Sequence, residues 1–212
     1  MRTDRPYDAL IFDAGGVFVS HDNDVLYARL ASRCRHPQAL ERIRALSGNT
    51  GVGSGAITVQ DLHRRMVDEF GYDADWDSFA EDWCCHLGLD APMLDLLERL
   101  AEVQRVAIFS NTTDVHWARV EGLSNGRIGR FEQYLSHLIR AEKPSLEAFR
   151  LVAELGAFDP ARCLFFDDMQ KNVDGARAAG FQAEQFTGQA ALETLLETRG
   201  VRWARTTQET MS

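Results

Sequence analysis

The stretch Ala9-Leu10-Ile11-Phe12-Asp13-Ala14-Gly15-Gly16-Val17 sets four apolar residues against a carboxylate and a pair of glycines. A short continuous apolar run bounded by turn residues suits a strand buried on both faces, and Asp13 then stands where that strand ends. The same pattern recurs at Val106–Phe109, Leu135–Ile139, Cys163–Phe166 and Ala183–Phe186. Helical spacing fills the intervals. The segment from Asp90 to Leu100 opens with a capping residue and an early proline, and the helix predicted from Ser145 closes on Gly156. Strands alternating with helices predict an α/β fold: a doubly wound parallel sheet with helices on both faces.

One interval breaks the alternation. Residues 18–89 hold helical patterns at 24–35, 38–46, 59–70 and 76–87 and no convincing buried strand, with the glycine-rich piece Gly48–Gly55 between the second and third. The expected organisation is a core domain of residues 1–17 and 90–212 carrying residues 18–89 as an inserted helical cap. The alternative is that these helices belong to the main layer. Thr206 to Ser212 reads as a frayed polar tail.

At 212 residues and 45% hydrophobic content, the chain can bury a substantial core. A net charge of −9 argues against a general nucleic-acid or acidic-membrane binder, because phosphate backbones need a basic surface. No stretch approaches the roughly 18 apolar residues that span a bilayer. No signal-peptide pattern opens the chain, so a cytoplasmic protein is the expectation. Cys34, Cys84, Cys85 and Cys163 form no Cys-x-x-Cys pair, which leaves a zinc or thioredoxin-type reading without support. The cations are lopsided: 21 arginines against two lysines, Lys143 and Lys171.

In an open parallel sheet, ligands bind beyond the carboxyl ends of the strands. The residues just past the apolar runs are Asp13, the pair Ser110 and Asn111, Lys143, and the pair Asp167 and Asp168. Each alone has an ordinary explanation as turn former, helix cap or solvated charge. Together they would converge on one crevice able to hold a divalent cation and a phosphate. In a chain that otherwise chooses arginine, Lys143 suggests a place wanting a compact ammonium.

The order and spacing of these residues resemble the haloacid dehalogenase (HAD) superfamily over nearly the whole chain. Its first motif, Asp-x-Asp-Gly-Thr/Val after a strand, corresponds to Asp13 through Val17. Its Ser/Thr-Asn motif corresponds to Ser110 and Asn111, its Lys-Pro to Lys143 and Pro144, and its acidic fourth motif to Asp167 and Asp168. The closest likeness is to the glucose-1-phosphatase-like branch, whose first motif also tends to read Asp-x-Gly. The resemblance implies a magnesium-dependent phosphatase acting on a small phosphorylated metabolite, as a monomer or homodimer. Asp13 would form an aspartyl-phosphate. Mg2+ would be held by Asp13, the Gly15 carbonyl, Asp168 and, directly or through water, Asp167. Ser110, the backbone beside Asn111, and Lys143 would bind the phosphate.

The sequence departs from the pattern at Gly15, where most such phosphatases carry a second Asp as acid and base. General acid–base catalysis contributes typically 10²–10⁴-fold, so three readings stay open. The enzyme works on an easy leaving group, such as an anomeric sugar phosphate or acyl phosphate, or recruits another group, His21 and His63 being candidates. Alternatively it is a weak or inactive relative kept for binding or regulation. A metal-independent 2-haloacid dehalogenase also needs no second Asp, but the Asp167-Asp168 pair argues for a metal. In the cap, Arg29, Arg33, Arg35, Arg42, Arg44, Arg64 and Arg65, the Gly48–Gly55 loop, Trp76 and Trp83 are candidate pocket formers.

Overall fold

In a computed structural model describing residues 6–46 and 51–204, strands Ala9–Phe12 (β1), Val106–Ser110 (β4), Glu132–Leu135 (β5), Cys163–Asp167 (β6) and Gln182–Gln185 (β7) form one sheet. Its order is β5-β4-β1-β6-β7, and every pairing is parallel. Side chains alternate across β1. Leu10 and Phe12 pack on one face against helices Ala91–Ala101 (α5), Asp114–Leu123 (α6) and Gln189–Thr198 (α10). Ala9 and Ile11 pack on the other against Leu146–Leu155 (α8) and Gln170–Ala178 (α9). Both faces of the central strands are therefore covered, which is why their sequences are continuously apolar.

The third apolar run is differently built from the expectation. Leu135 ends β5, and Ser136–Ile139 forms a short helix, α7. The strand itself, Glu132-Gln-Tyr-Leu135, lies at the sheet edge, where one side meets solvent and polar residues are tolerated. That composition hides an edge strand from a search for buried runs.

Between β1 and α5 lie four helices: Asn23–Ser32 (α1), Ala39–Leu46 (α2), Val59–Phe70 (α3) and Trp76–Cys84 (α4). They share a hydrophobic cluster of their own, with Leu30, Phe70 and Phe79 fully buried. Capping side chains set three of the starts: Asp22 for α1, a Thr58–Asp61 capping box for α3, and Asp75 for α4. At the centre sits Asp82, 2% exposed, accepting from Tyr72 Oη at 2.7 Å and paired with Arg29 at 2.7 Å and Arg33 at 2.5 Å. The chain enters and leaves this bundle through an antiparallel pair, Val19–His21 (β2) and Leu87–Leu89 (β3), with Val19 opposite Leu89. Three-residue strands containing Ser20, His21 and Gly88 carry no apolar run, so the sequence pattern does not reveal them.

A second link joins the bundle to the sheet. The turn following residue 50 packs on α7. Ser136 Oγ donates to the Gly53 carbonyl at 2.6 Å, and the Arg140 guanidinium donates to the Gly55 carbonyl. A Cβ on Gly55 would lie 2.6 Å from the His137 carbonyl oxygen, so the approach requires glycine. The described part of the Gly48–Gly55 loop thus contacts the core surface. Gly48 and its two followers lie outside the described residues, as does the tail at 206–212.

Candidate active site at the carboxyl ends of the strands

Asp13 follows β1, Ser110 ends β4 and Asp167 ends β6. The parallel register sets all three at the same edge of the sheet. They line a cleft of about 380 Å³ together with Gly15, Asn111, Lys143 and Asp168, apart from Asp167, which lies fully buried behind it. The expected convergence is therefore observed.

Lys143 organises the floor. Its ammonium, 1% exposed, lies 2.9 Å from Asp13 Oδ1 and donates to Asp167 Oδ2 at 2.6 Å. It sits 5.2 Å from the Phe109 ring centroid and 5.4 Å from that of Phe165, so one cation is held by two carboxylates and two aromatic faces. Asn111 supports the lysine through its side chain. Its side chain donates to the Lys143 carbonyl and accepts from the Lys143 amide, both at 2.9 Å, and so fixes the lysine's backbone. Asp167 is committed as well: it also accepts from the Met169 amide and twice from Asn172 Nδ2. The Ser110 hydroxyl, buried at the cleft wall, makes no hydrogen bond among the described residues.

The Asp168 carboxylate accepts no hydrogen bond from another described residue, is drawn only through space by His21 and Lys143, and stands close to Gly16. A Cβ on Gly16 would lie 2.3 Å from Asp168 Oδ2, and Gly16 has φ of 69°. Glycine is needed there on both counts. Ligand oxygens of Asp13, Asp167 and Asp168 all lie within 4.8 Å of one another. With only Lys143 buried among them, three ionised carboxylates would carry two uncompensated negative charges. Burial accordingly pushes the Asp13 carboxyl up to about 6, against the pull of Lys143, and Asp167 adds to the rise. Burial and Asp167 raise Asp168 too. A divalent cation with oxygen ligands would relieve this excess, so the residues present fit one.

The position of Gly15 is informative. Among the described residues, a Cβ there would come within 4 Å only of His21, at 3.8 Å from Nε2 and 3.9 Å from Cε1. The imidazole of His21, on β2, therefore borders the space that a side chain at position 15 would enter. His86 and His116 also line the cleft, and burial pushes both down to about 4, leaving them neutral at pH 7. His63 does not reach it. That ring bonds the Ala74 carbonyl at 3.1 Å and packs among Tyr72, Trp76 and Phe79 inside the helical bundle. Trp76 is in the same packing and Trp83 lies nearer the cleft, stacked on His116.

The seven bundle arginines are all engaged elsewhere. Arg29 and Arg33 hold Asp82, Arg35 pairs with Asp73, Arg44 with Asp24, Arg64 with Asp61 and Arg65 with Glu69. Arg42 bonds His36 and lies over Phe70. The cation missed by sequence reasoning is Lys171, which lines the cleft beside Lys143. The signal was available: both lysines of an arginine-rich chain line one cleft.

No protein-family model matches the chain. A HAD family enzyme from Bacteroides thetaiotaomicron, solved with magnesium and inorganic phosphate, superposes with a TM-score of 0.76 at 25% identity, covering 86% of this chain and 96% of that one. A predicted HAD-like family hydrolase from Porphyromonas gingivalis gives 0.79 at 19% identity, over 91% and 98%. An L-2-haloacid dehalogenase from Xanthobacter autotrophicus, with chloropropionic acid covalently bound, gives 0.54 at 19%, over 92% and 84%. In sequence, a phosphatase from Mycobacterium tuberculosis is 44% identical over 48 residues; the match spans 23% of this chain and only about a fifth (22%) of that relative's length. The architecture is the α/β fold of HAD family enzymes. Among the described residues no helix is long and apolar enough to cross a membrane.

Proposed function

We propose that the chain is a magnesium-dependent phosphomonoesterase that works through an aspartyl-phosphate on Asp13. The observation carrying this reading is the buried Lys143 ammonium shared by Asp13 and Asp167, with the Asp168 carboxylate clustered beside them. Asp13, the Gly15 carbonyl and Asp168 would hold Mg2+, with Asp167 acting mainly by fixing Lys143. When bound, the ion would offset the repulsion between an anionic nucleophile and an anionic phosphate.

In the first step an Asp13 carboxylate oxygen bonds to phosphorus as the bond from phosphorus to the alcohol oxygen breaks. Lys143 and the free Ser110 hydroxyl hold the phosphoryl oxygens, and Lys171 stands at the rim. His21 Nε2 gives its proton to the departing alcohol oxygen, doing what a second Asp would otherwise do. It then takes a proton from the water that attacks the phosphorus of the acyl phosphate. Inorganic phosphate leaves and the Asp13 carboxylate is restored. The helices α1–α4 act as the cap that screens these steps from bulk water. From the Asp-x-Gly first motif we infer a likeness to the glucose-1-phosphatase-like branch.

Phosphate release from a panel of phosphomonoesters, run with magnesium and with EDTA, tests this. Turnover that needs the metal and disappears in Asp13→Asn is the expected result. A protein that binds phosphorylated ligands yet hydrolyses none would instead be a binding module. Halide release from 2-chloropropionate without metal would make it a dehalogenase, a reading that leaves the Asp168 carboxylate without a task.

A further inference from the structure

Beside the cleft, within the helical bundle, lies a cavity of about 170 Å³. Its walls are Leu26 and Leu30 from α1, Ile43 from α2, Leu62 and Met66 from α3, and Trp83 from α4. Asn23 and His116 line both this cavity and the cleft that holds Asp13 and Lys143. Among the described residues none that lines it is an acid, lysine or arginine. The bundle arginines that could have read a second anionic group are engaged in ion pairs or, for Arg42, with His36 and Phe70.

We infer that this cavity receives the organic part of the substrate, and that the preferred substrates are phosphomonoesters of apolar alcohols, with aliphatic chains or single aromatic rings. The inference rests on the phosphatase reading and names its substrate class. A polyol in this cavity would meet mostly aliphatic walls, with polar groups offered by Asn23, Tyr27, Trp83 and His116, and hydroxyls left without partners there would be costly. A hydrocarbon group gains from the same walls. Neutral His116, its Nε2 2.9 Å from the Trp83 carbonyl, separates the apolar chamber from the charged floor without adding charge. Size agrees, since a cavity of this volume accepts a benzyl or hexyl group.

The test fixes the leaving-group chemistry and varies the organic part. Hexyl phosphate, benzyl phosphate and glucose 6-phosphate all release primary alcohols. The expected kcat/KM for the first two exceeds that for the sugar phosphate by about tenfold or more. Equal rates, or a preference for the sugar, would overturn the inference. Binding keeps it testable if nothing is hydrolysed, an outcome that would count against the phosphatase reading alone. Calorimetry with magnesium present should then show hexylphosphonate binding at least about tenfold tighter than methylphosphonate. Equal or undetectable binding of the hexyl compound sinks the chamber. Ile43→Phe, which fills the cavity, should shrink the hexyl-to-methyl affinity ratio. If circular dichroism shows that variant unfolded, Met66→Gln serves instead, and a ratio unchanged in a folded variant contradicts the proposal.

Discussion

Gly15 and Gly16 are adjacent but answer to different constraints. Gly16 carries a positive φ and touches Asp168, so Gly16→Ala must displace the carboxylate or strain the backbone. We expect this variant to remain folded but to lose magnesium affinity by tenfold or more, on the order of the losses seen when a ligand's support is removed, as measured by calorimetry. Gly15 has ordinary backbone geometry and open space toward His21. Gly15→Asp should therefore fold, and should raise activity on alkyl phosphates more than on p-nitrophenyl phosphate, whose leaving group needs no proton. His21→Ala should show the mirror image, losing about 10²-fold on alkyl phosphates and far less on the nitrophenyl ester. Equal effects on both substrates would remove His21 from the proton's path. Asp13 supplies a pH signature. Its folded-state value of about 6 lies above the ordinary 3.8, so the folded metal-free protein binds more protons between those values. Stability is thus lost as pH rises from about 4 to 6, on the order of 2–3 kcal/mol. Magnesium competes with that proton, so the rise in Tm that it produces should be small at pH 5 and larger at pH 7.5, and Asp13→Asn should flatten the difference.

Among the elements, the central strands were legible and the margins were not. Strands β1, β4 and β6 are buried on both faces, so their sequences are apolar up to the point where the chemistry starts: at Asp13 just after β1, and at Ser110 and Asp167, the last residues of β4 and β6. The edge strand β5 and the three-residue β2 and β3 lack that signature because solvent or a single partner covers them. Their positions follow from tertiary pairing, which no local window contains. Charge pairing was equally hidden. Asp82 reads as one more helical acid, yet it is buried and gathers Arg29, Arg33 and Tyr72 from two other segments of the bundle. Asp82→Ala removes these bonds but leaves arginines that are themselves substantially exposed, so the cost should fall near 1–3 kcal/mol, below that of stranding a buried charge. A thermal melt checks it, and because the knot lies away from the floor, phosphate binding at low temperature should persist.

At the scale of the molecule, neutral imidazoles mark the seam between bundle and sheet. His86 and His116 titrate near 4 when folded, below the ordinary 6.5. The folded state holds fewer protons than the unfolded chain across that window, so their contribution is full above about 6.5 and drains away as pH falls toward 4. Acid should therefore weaken the seam first, and hydrogen-exchange protection at α4 and α6, relative to the intrinsic rate at each pH, should fall before that of β1 and β6. The seam is also bridged at its far side, where Gly53 and Gly55 rest on Ser136 and Arg140. If helices α1–α4 tilt about the β2–β3 pair to admit a ligand, those two contacts have to part in every cycle. Opening then becomes a barrier crossed against solvent friction. Turnover on a good substrate should slow as sucrose thickens the medium, and Arg140→Ala, with the bridge already loosened, should feel that drag less.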